Sequence, residues 1–219
     1  MNLDFSYYMP TRIIFGCGKL NEIKTTTYLP GKKALVVIGA SGAMKKHGYL
    51  DSVIDYLKEN GVESVAFDKI VPNPVSEHVE EGANVARENG CDFVLGLGGG
   101  STLDSSKSIA LMAVNPGKYW DYINGGSGGG KIPPNPALPI VAITTTAGTG
   151  TEADPWTVIT KTDTFIYSSV LLLLRRNIQR YQNGPTRTVK RTGCQRRICT
   201  VFLPVRTIFS QWSALSNDS

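Results

Sequence analysis

A chain of 219 residues with 41% hydrophobic content and 23 glycines has enough apolar material for a globular core and many tight turns. Nowhere do about 20 apolar residues run together, which excludes a membrane-spanning helix, and the opening MNLDFSYYMPTR has neither the basic start nor the apolar run of a secretory leader. The net charge of +5 divides unevenly: residues 1–164 carry 14 basic and 17 acidic side chains, whereas residues 165–219 carry 9 basic and 1 acidic.

In chain order, RIIF (residues 12–15) reads as an edge strand before the Gly16-Cys17-Gly18 turn, and residues 19–26 as a short helix. The all-apolar run 34–38 has the character of a strand buried in a parallel sheet. It empties into Gly39-Ala40-Ser41-Gly42. Leu50, Val53, Ile54 and Leu57 then recur at helical spacing over residues 49–60, with Gly61 as the stop. The cycle repeats with a strand at 63–67, a rigid turn at Val71-Pro72-Asn73-Pro74, and a helix at 77–89 ended by Gly90. A third strand, 93–97, runs into Gly98-Gly99-Gly100 and a helix expected to open at Ser101. Glycines there let backbone amides approach a bulky anion. Ser101 is expected as the N-cap, with Asp104 in the first turn where a carboxylate suits the helix dipole.

Residues 115–139 are loop-like. GGSGGGK (125–131) nearly spells a phosphate-binding loop, but no strand precedes it, Ile132 replaces the required hydroxyl residue, and Pro133-Pro134 forbids the following helix. A fourth strand, 138–143, delivers the hydroxyl-rich stretch TTTAGTGTE, and 156–160 reads as a further strand. Strand–helix alternation with all-apolar strands predicts a parallel sheet covered on both faces, with ligands beyond the strand carboxyl ends. Residues 39–42, Asn73, 98–101 and 144–149 all fall at that edge.

After Thr164 the periodicity is expected to end. Lysine and arginine number 12 and 2 before that point and 1 and 8 after it, and only 2 of the 23 glycines follow it. Natural boundaries fall in solvated linkers rather than inside a sheet passage. The expected organisation is an α/β domain at 1–164, its completeness left open, and a basic, poorly ordered segment at 165–219 produced by a shift of reading frame. The four cysteines (17, 91, 194 and 199) show no C-x-x-C spacing, so free thiols and a cytoplasmic location are expected.

The glycine fingerprint of common dinucleotide-binding domains does not fit residues 96–101; GGGS-x-x-D-x-x-K, from Gly98 to Lys107, does fit. With PTRIIFGCGKL (10–20), VPNP (71–74) and TTAGTGTEADPW (145–156) leading into VIT, the chain resembles the iron-containing (group III) alcohol dehydrogenases, in the butanol and primary-alcohol subgroup. The resemblance covers residues 1 to about 164. It implies a Rossmann-like, dehydroquinate synthase-like nucleotide domain. The family's activity is alcohol–aldehyde interconversion by hydride transfer with NAD or NADP.

On that resemblance, Gly98, Gly99 and Ser101 cradle the pyrophosphate with Asp104 nearby, and Asn73 lines the adenosine side. Thr145, Thr146 and Thr149 contact the cofactor from the second strand-end loop, and Gly39 and Ser41 sit where many NAD-preferring relatives carry an acidic residue. With no carboxylate seen there and Lys45 and Lys46 close behind, NADP is mildly favoured over NAD. The family's iron or zinc is held by an Asp and histidines of a C-terminal helical domain. His47 and His78 match none of those positions, so that domain is expected to be missing, no metal or catalytic residue is assigned, and the chain alone is expected to be inactive. Lys107 suits support or phosphate contact better than acid–base work. The alternatives are a non-catalytic nucleotide-binding module and a nucleic-acid binder acting through the basic segment, the latter disfavoured by its apolar run 170–174. The alcohol or aldehyde used and the oligomeric state are left open.

Overall fold

In the computed structural model, residues 11–124 and 127–162 are described in full, together with the backbone of residues 166–171. Four parallel strands form one sheet: β1 (Lys33–Gly39), β2 (Glu63–Ile70), β3 (Phe93–Gly98) and β4 (Ile140–Thr144), in the spatial order β2-β1-β3-β4. The chain leaves β1 for β2 on one side and later returns past it to β3 and β4 on the other. The order therefore reverses between β1 and β3.

Both faces of the sheet are covered, because successive side chains of each strand point to opposite sides. Ala34, Val36 and Ile38 join Phe93, Leu95 and Leu97 beneath Leu50, Val53 and Leu57 of helix α2 (Tyr49–Glu59). Leu35, Val37 and Val94 face the other way, onto Val79 and Ala83 of α3 (Ser76–Glu88) and Ile109 of α4 (Gly100–Met112). A one-turn helix α1 (Ala43–Lys46) follows β1, and 3₁₀ helices lie at Lys19–Lys24 and Tyr119–Tyr122. Gly61 and Gly90, the anticipated helix stops, adopt φ of 73° and 63°, a conformation costly for other residues.

Apart from Asp104, which is half-buried, helix α4 is buried on every side from Thr102 to Ala113, not on the single apolar face the sequence suggests. Two of its serines are satisfied within the helix: Ser105 Oγ donates to Ser101 O at 2.8 Å and Ser106 Oγ to Thr102 O at 2.7 Å. The close seat on β3 needs glycine, since a Cβ at Gly96 would stand 2.6 Å from Ser106 Oγ. Strand β2 lies at an open edge and exposes Glu63, Asp68 and Lys69, charges that discourage pairing with another sheet.

Strands β5 (Trp156–Lys161) and β6 (Ile166–Leu171) pair antiparallel as a separate ribbon. The ribbon corrects the expectation that order ends at Thr164: a regular strand is present at Ile166–Leu171, while residues 163–165 and 172–219 lie outside the described residues. Residues 12–15, expected as an edge strand, are irregular, with Ile13 and Phe15 exposed and no neighbouring strand in register. In the glycine loop Gly129, Gly130 and Lys131 donate their amides to the Trp120, Ile123 and Asp121 carbonyls, as in ordinary surface structure. Cys91 is a buried free thiol, its ionisation pushed up by burial. Cys17 is disulfide-bonded, contrary to the expectation of free thiols; pairing depends on spatial approach, which sequence spacing does not report. Among the described residues no helix is long and apolar enough to cross a membrane.

Candidate functional site

The carboxyl ends of β1, β3 and β4 meet where the strand order reverses, the place where open α/β sheets bind ligands. Gly98 pairs with Thr144 in register, and the Thr145 amide donates to Gly98 O at 2.9 Å. Gly99 caps α4 in an extended conformation with no side-chain cap, so the helix opens at Gly100, one residue earlier than expected. Ser101 is consequently inside the first turn, whose amides have no intrahelical acceptor and aim the positive end of the helix dipole outward.

The threonines of the β4 loop close over these glycines. A Cβ on Gly99 would stand 3.2 Å from Thr146 Cγ2, one on Gly100 3.1 Å from Thr149 Cγ2, and one on Gly98 2.6 Å from Thr102 Oγ1. The three glycines thus leave a cradle that side chains would fill.

Beside the cradle lies a cavity of about 300 Å³. Asn73, Ser101, Asp104 and Thr149, anticipated from the sequence, line it. Asn73 holds φ at 54°, the left-handed turn that asparagine tolerates. Gly39, Ser41, Gly98, Gly99, Thr145 and Thr146 lie at the same strand-end edge but outside the cavity lining. Trp156, Val158 and Thr160 of β5 form a wall the sequence reading missed. The alternation of this strand was legible; its position against α4 was not.

Asp104 is not in the first turn, because the helix starts at Gly100. Its carboxylate accepts from the Thr151 hydroxyl and, at 3.0 Å, from the Val158 amide. Lys107, one turn on, is buried beneath the 151–156 loop. Its ammonium reaches Thr151 O at 2.8 Å, Thr151 Oγ1 at 2.6 Å, Asp154 Oδ1 at 3.1 Å and Trp156 O, and lies 3.5 Å from Asp104 Oδ1. Of the two roles open to Lys107, support is the one it performs: it ties the cavity wall to α4. Deeper in, the Tyr119 hydroxyl accepts from Ser108 Oγ at 2.9 Å and lies 3.0 Å from Thr157 Oγ1. Burial pushes its pKa up to about 12.

The sequence presents Lys45 as a free cation without a neighbouring carboxylate, but β2 brings Asp68 to it as an ion pair. The hydrogen bond from Lys45 holds the Asp68 carboxyl below its ordinary range. A carboxylate therefore does stand near the end of β1, contrary to the reading that favoured NADP, and the NADP preference is not supported. His47 ends α1 and His78 lies within α3. Among the described residues no group of three or more His, Cys, Asp or Glu side chains could hold a metal ion.

A parallel sheet with covered faces, a reversal of strand order and a glycine-opened helix at that reversal define a Rossmann-like nucleotide-binding α/β domain. The family model for iron-containing alcohol dehydrogenase matches residues 10–172. The chain belongs to that family, and the match runs past residue 164, where the resemblance was expected to stop. NADH-dependent butanol dehydrogenase B of Clostridium acetobutylicum is 40% identical over 162 residues, covering 74% of this chain and 40% of the relative. 1,3-Propanediol dehydrogenase of Klebsiella pneumoniae is 36% identical over 161 residues, 73% of this chain and 40% of the relative. Among solved structures, NADH-dependent butanol dehydrogenase A of Thermotoga maritima superposes with a TM-score of 0.69 at 36% identity, covering 77% of this chain and 41% of that one. An archaeal halo-thermophilic alcohol dehydrogenase from a Red Sea brine pool gives 0.70 at 39% identity, over 78% and 43%. The chain spans about two fifths of the length of the curated relatives it matches.

Proposed function

We propose that this chain supplies the nicotinamide-dinucleotide half of an alcohol–aldehyde oxidoreductase, with NADH rather than NADPH as cofactor. The carrying observation is the first turn of α4, opened by three glycines at the strand-order reversal and roofed by Thr146 and Thr149. A pyrophosphate bridging there would meet free amides and a helix dipole. NADH is supported by the pairing of Lys45 with Asp68 and by relatives whose names call them NADH-dependent.

When bound, the dinucleotide accepts or delivers hydride; the part played by this chain's own residues is binding and orientation. Gly98, Gly99 and Ser101 seat the phosphates, Thr149 flanks them, Asn73 lines the adenosine side, and Asp104 with Lys107 holds the loop that closes the cavity. Gly39 and Ser41 with Thr145 and Thr146 complete the edge around the nucleotide. Nothing in the described residues supplies a Lewis acid for the alcohol, which favours cofactor binding without turnover by this chain on its own. The domain is assigned to residues 1–164, extended by the β5–β6 ribbon, and the basic remainder to a shifted reading frame.

Calorimetric titration of the folded chain with NADH and with NADPH tests the cofactor reading. NADH is expected to bind, and more tightly than NADPH. No detectable heat at millimolar NADH, from a sample whose circular dichroism shows the fold, refutes it.

A further inference from the structure

Three consecutive residues of β5 are fastened to one face of α4. The Val158 amide donates to Asp104 Oδ2 at 3.0 Å, and the Lys107 ammonium donates to the Trp156 carbonyl. Between them Thr157 turns inward, fully buried, and is joined to Ser108 through the hydroxyl of Tyr119. Asp104, Lys107 and Ser108 stand at i, i+3 and i+4, the spacing that puts side chains on one face of a helix. The first two reach β5 themselves. Serine is too short to do so, and the phenol supplies the span.

Tyr119 is placed for that task by the 3₁₀ helix Tyr119–Tyr122, whose first amide donates to Glu80 Oε1 of α3 at 3.0 Å. Its side chain is buried, as are those of Ser108 and Thr157. Ser108 Oγ gives its proton to the phenol oxygen at 2.9 Å, which leaves the phenol proton for Thr157 Oγ1 at 3.0 Å. A buried polar chain of this kind rigidifies a core and specifies one packing when each member is satisfied. Here it joins the helix that carries the cradle to the strand that walls the cavity.

We propose, on the footing of the dinucleotide site above, that Tyr119 is a positioning residue: through Thr157 it sets how far Trp156 and Val158 stand from α4, and with that the width of the cavity beside the cradle. Tyr119 lies behind β5, outside the cavity lining, and acts on the cofactor only through the strand. The glycine cradle does not depend on it. A wall set in advance lowers the ordering cost of binding, and a wall released from its tie must be re-ordered when the cofactor arrives.

Tyr119→Phe, titrated with NADH and with inorganic pyrophosphate, tests the assignment. The ring stays and the hydroxyl goes, so Ser108 and Thr157 are left buried without this partner and the melting temperature should fall. The NADH dissociation constant should rise about fivefold, the factor of one neutral hydrogen bond. That of pyrophosphate, seated by the cradle alone, should not change. Thr157→Val cuts the same tie from the other side and should reproduce the NADH effect. A triple variant adds Ser108→Ala and Thr157→Val to Tyr119→Phe. With no stranded hydroxyl left, stability should return, yet NADH affinity should stay low because the tie is still absent. A residue that only supports the fold would regain affinity together with stability. That result, unchanged NADH affinity in Tyr119→Phe, or an equal loss of pyrophosphate binding each overturns the assignment. Failure of the unaltered, folded chain to bind NADH would overturn the cofactor reading itself, and this assignment with it.

Discussion

Replacing Lys107 with methionine tests how the cavity wall is held. Methionine retains the apolar stem and removes the ammonium, which has three protons and stands among five acceptors: two atoms each of Thr151 and Asp154, and the carbonyl of Trp156. The Lys107 side chain is only 6% exposed and that of Asp104, 3.5 Å away, 13%. Removing one partner of such a pair strands the other charge, at a loss of roughly 3–5 kcal/mol. For a domain of this size that corresponds to a melting temperature lower by roughly 6–20 °C. Urea unfolding followed by circular dichroism measures it. Asp104→Asn added to Lys107→Met removes the stranded charge and should recover roughly 1–3 kcal/mol. A loss below about 1 kcal/mol, the range of an exposed pair, or a double variant as unstable as the sum of the singles, would refute the reasoning.

Asp68→Asn frees Lys45 from its carboxylate and should shift cofactor preference toward NADPH; an unchanged ratio of NADPH to NADH affinity in titrations would show that the pair does not govern discrimination. Burial raises the Tyr119 pKa to about 12 from 10.0, so the folded state keeps its proton longer than the unfolded chain. The associated stability is complete below pH 10 and is lost as pH climbs to 12, by roughly 2–3 kcal/mol. The stability gap between the unaltered chain and Tyr119→Phe should therefore narrow over that window, and a gap independent of pH contradicts it. Translating the coding DNA in the other two frames from the codon of Leu172 onward, where the family match ends, should restore family-like sequence in one of them; if neither does so, the basic segment is native.

The strands and helices were legible because burial on both faces demands uninterrupted apolar runs, and glycines with positive φ end the helices. The cradle was legible for the same local reason, three glycines between a strand and a helix. What escaped the sequence depends on distant partners. Lys107 meets Thr151 across 44 residues and Lys45 meets Asp68 across 23, and no spacing rule brings such pairs together. The β5 wall escaped because alternation within a strand does not say which element the strand will lie against. The reading of 12–15 as a strand failed differently: apolar residues in series promise a strand only where a neighbour offers hydrogen bonds.

The all-round burial of α4 has a consequence for how a ligand arrives. Its first-turn amides are held in place by a rod packed against the sheet, α3 and β5, so the phosphate end of a cofactor meets dipoles already aligned. Little conformational entropy remains to be lost there. The ordering that does accompany binding falls on the half-exposed threonine loop and the outer β5 wall. Encounter should be governed by the rigid end and residence time by the pliable one, so that substitutions in the wall alter dissociation rates far more than association rates.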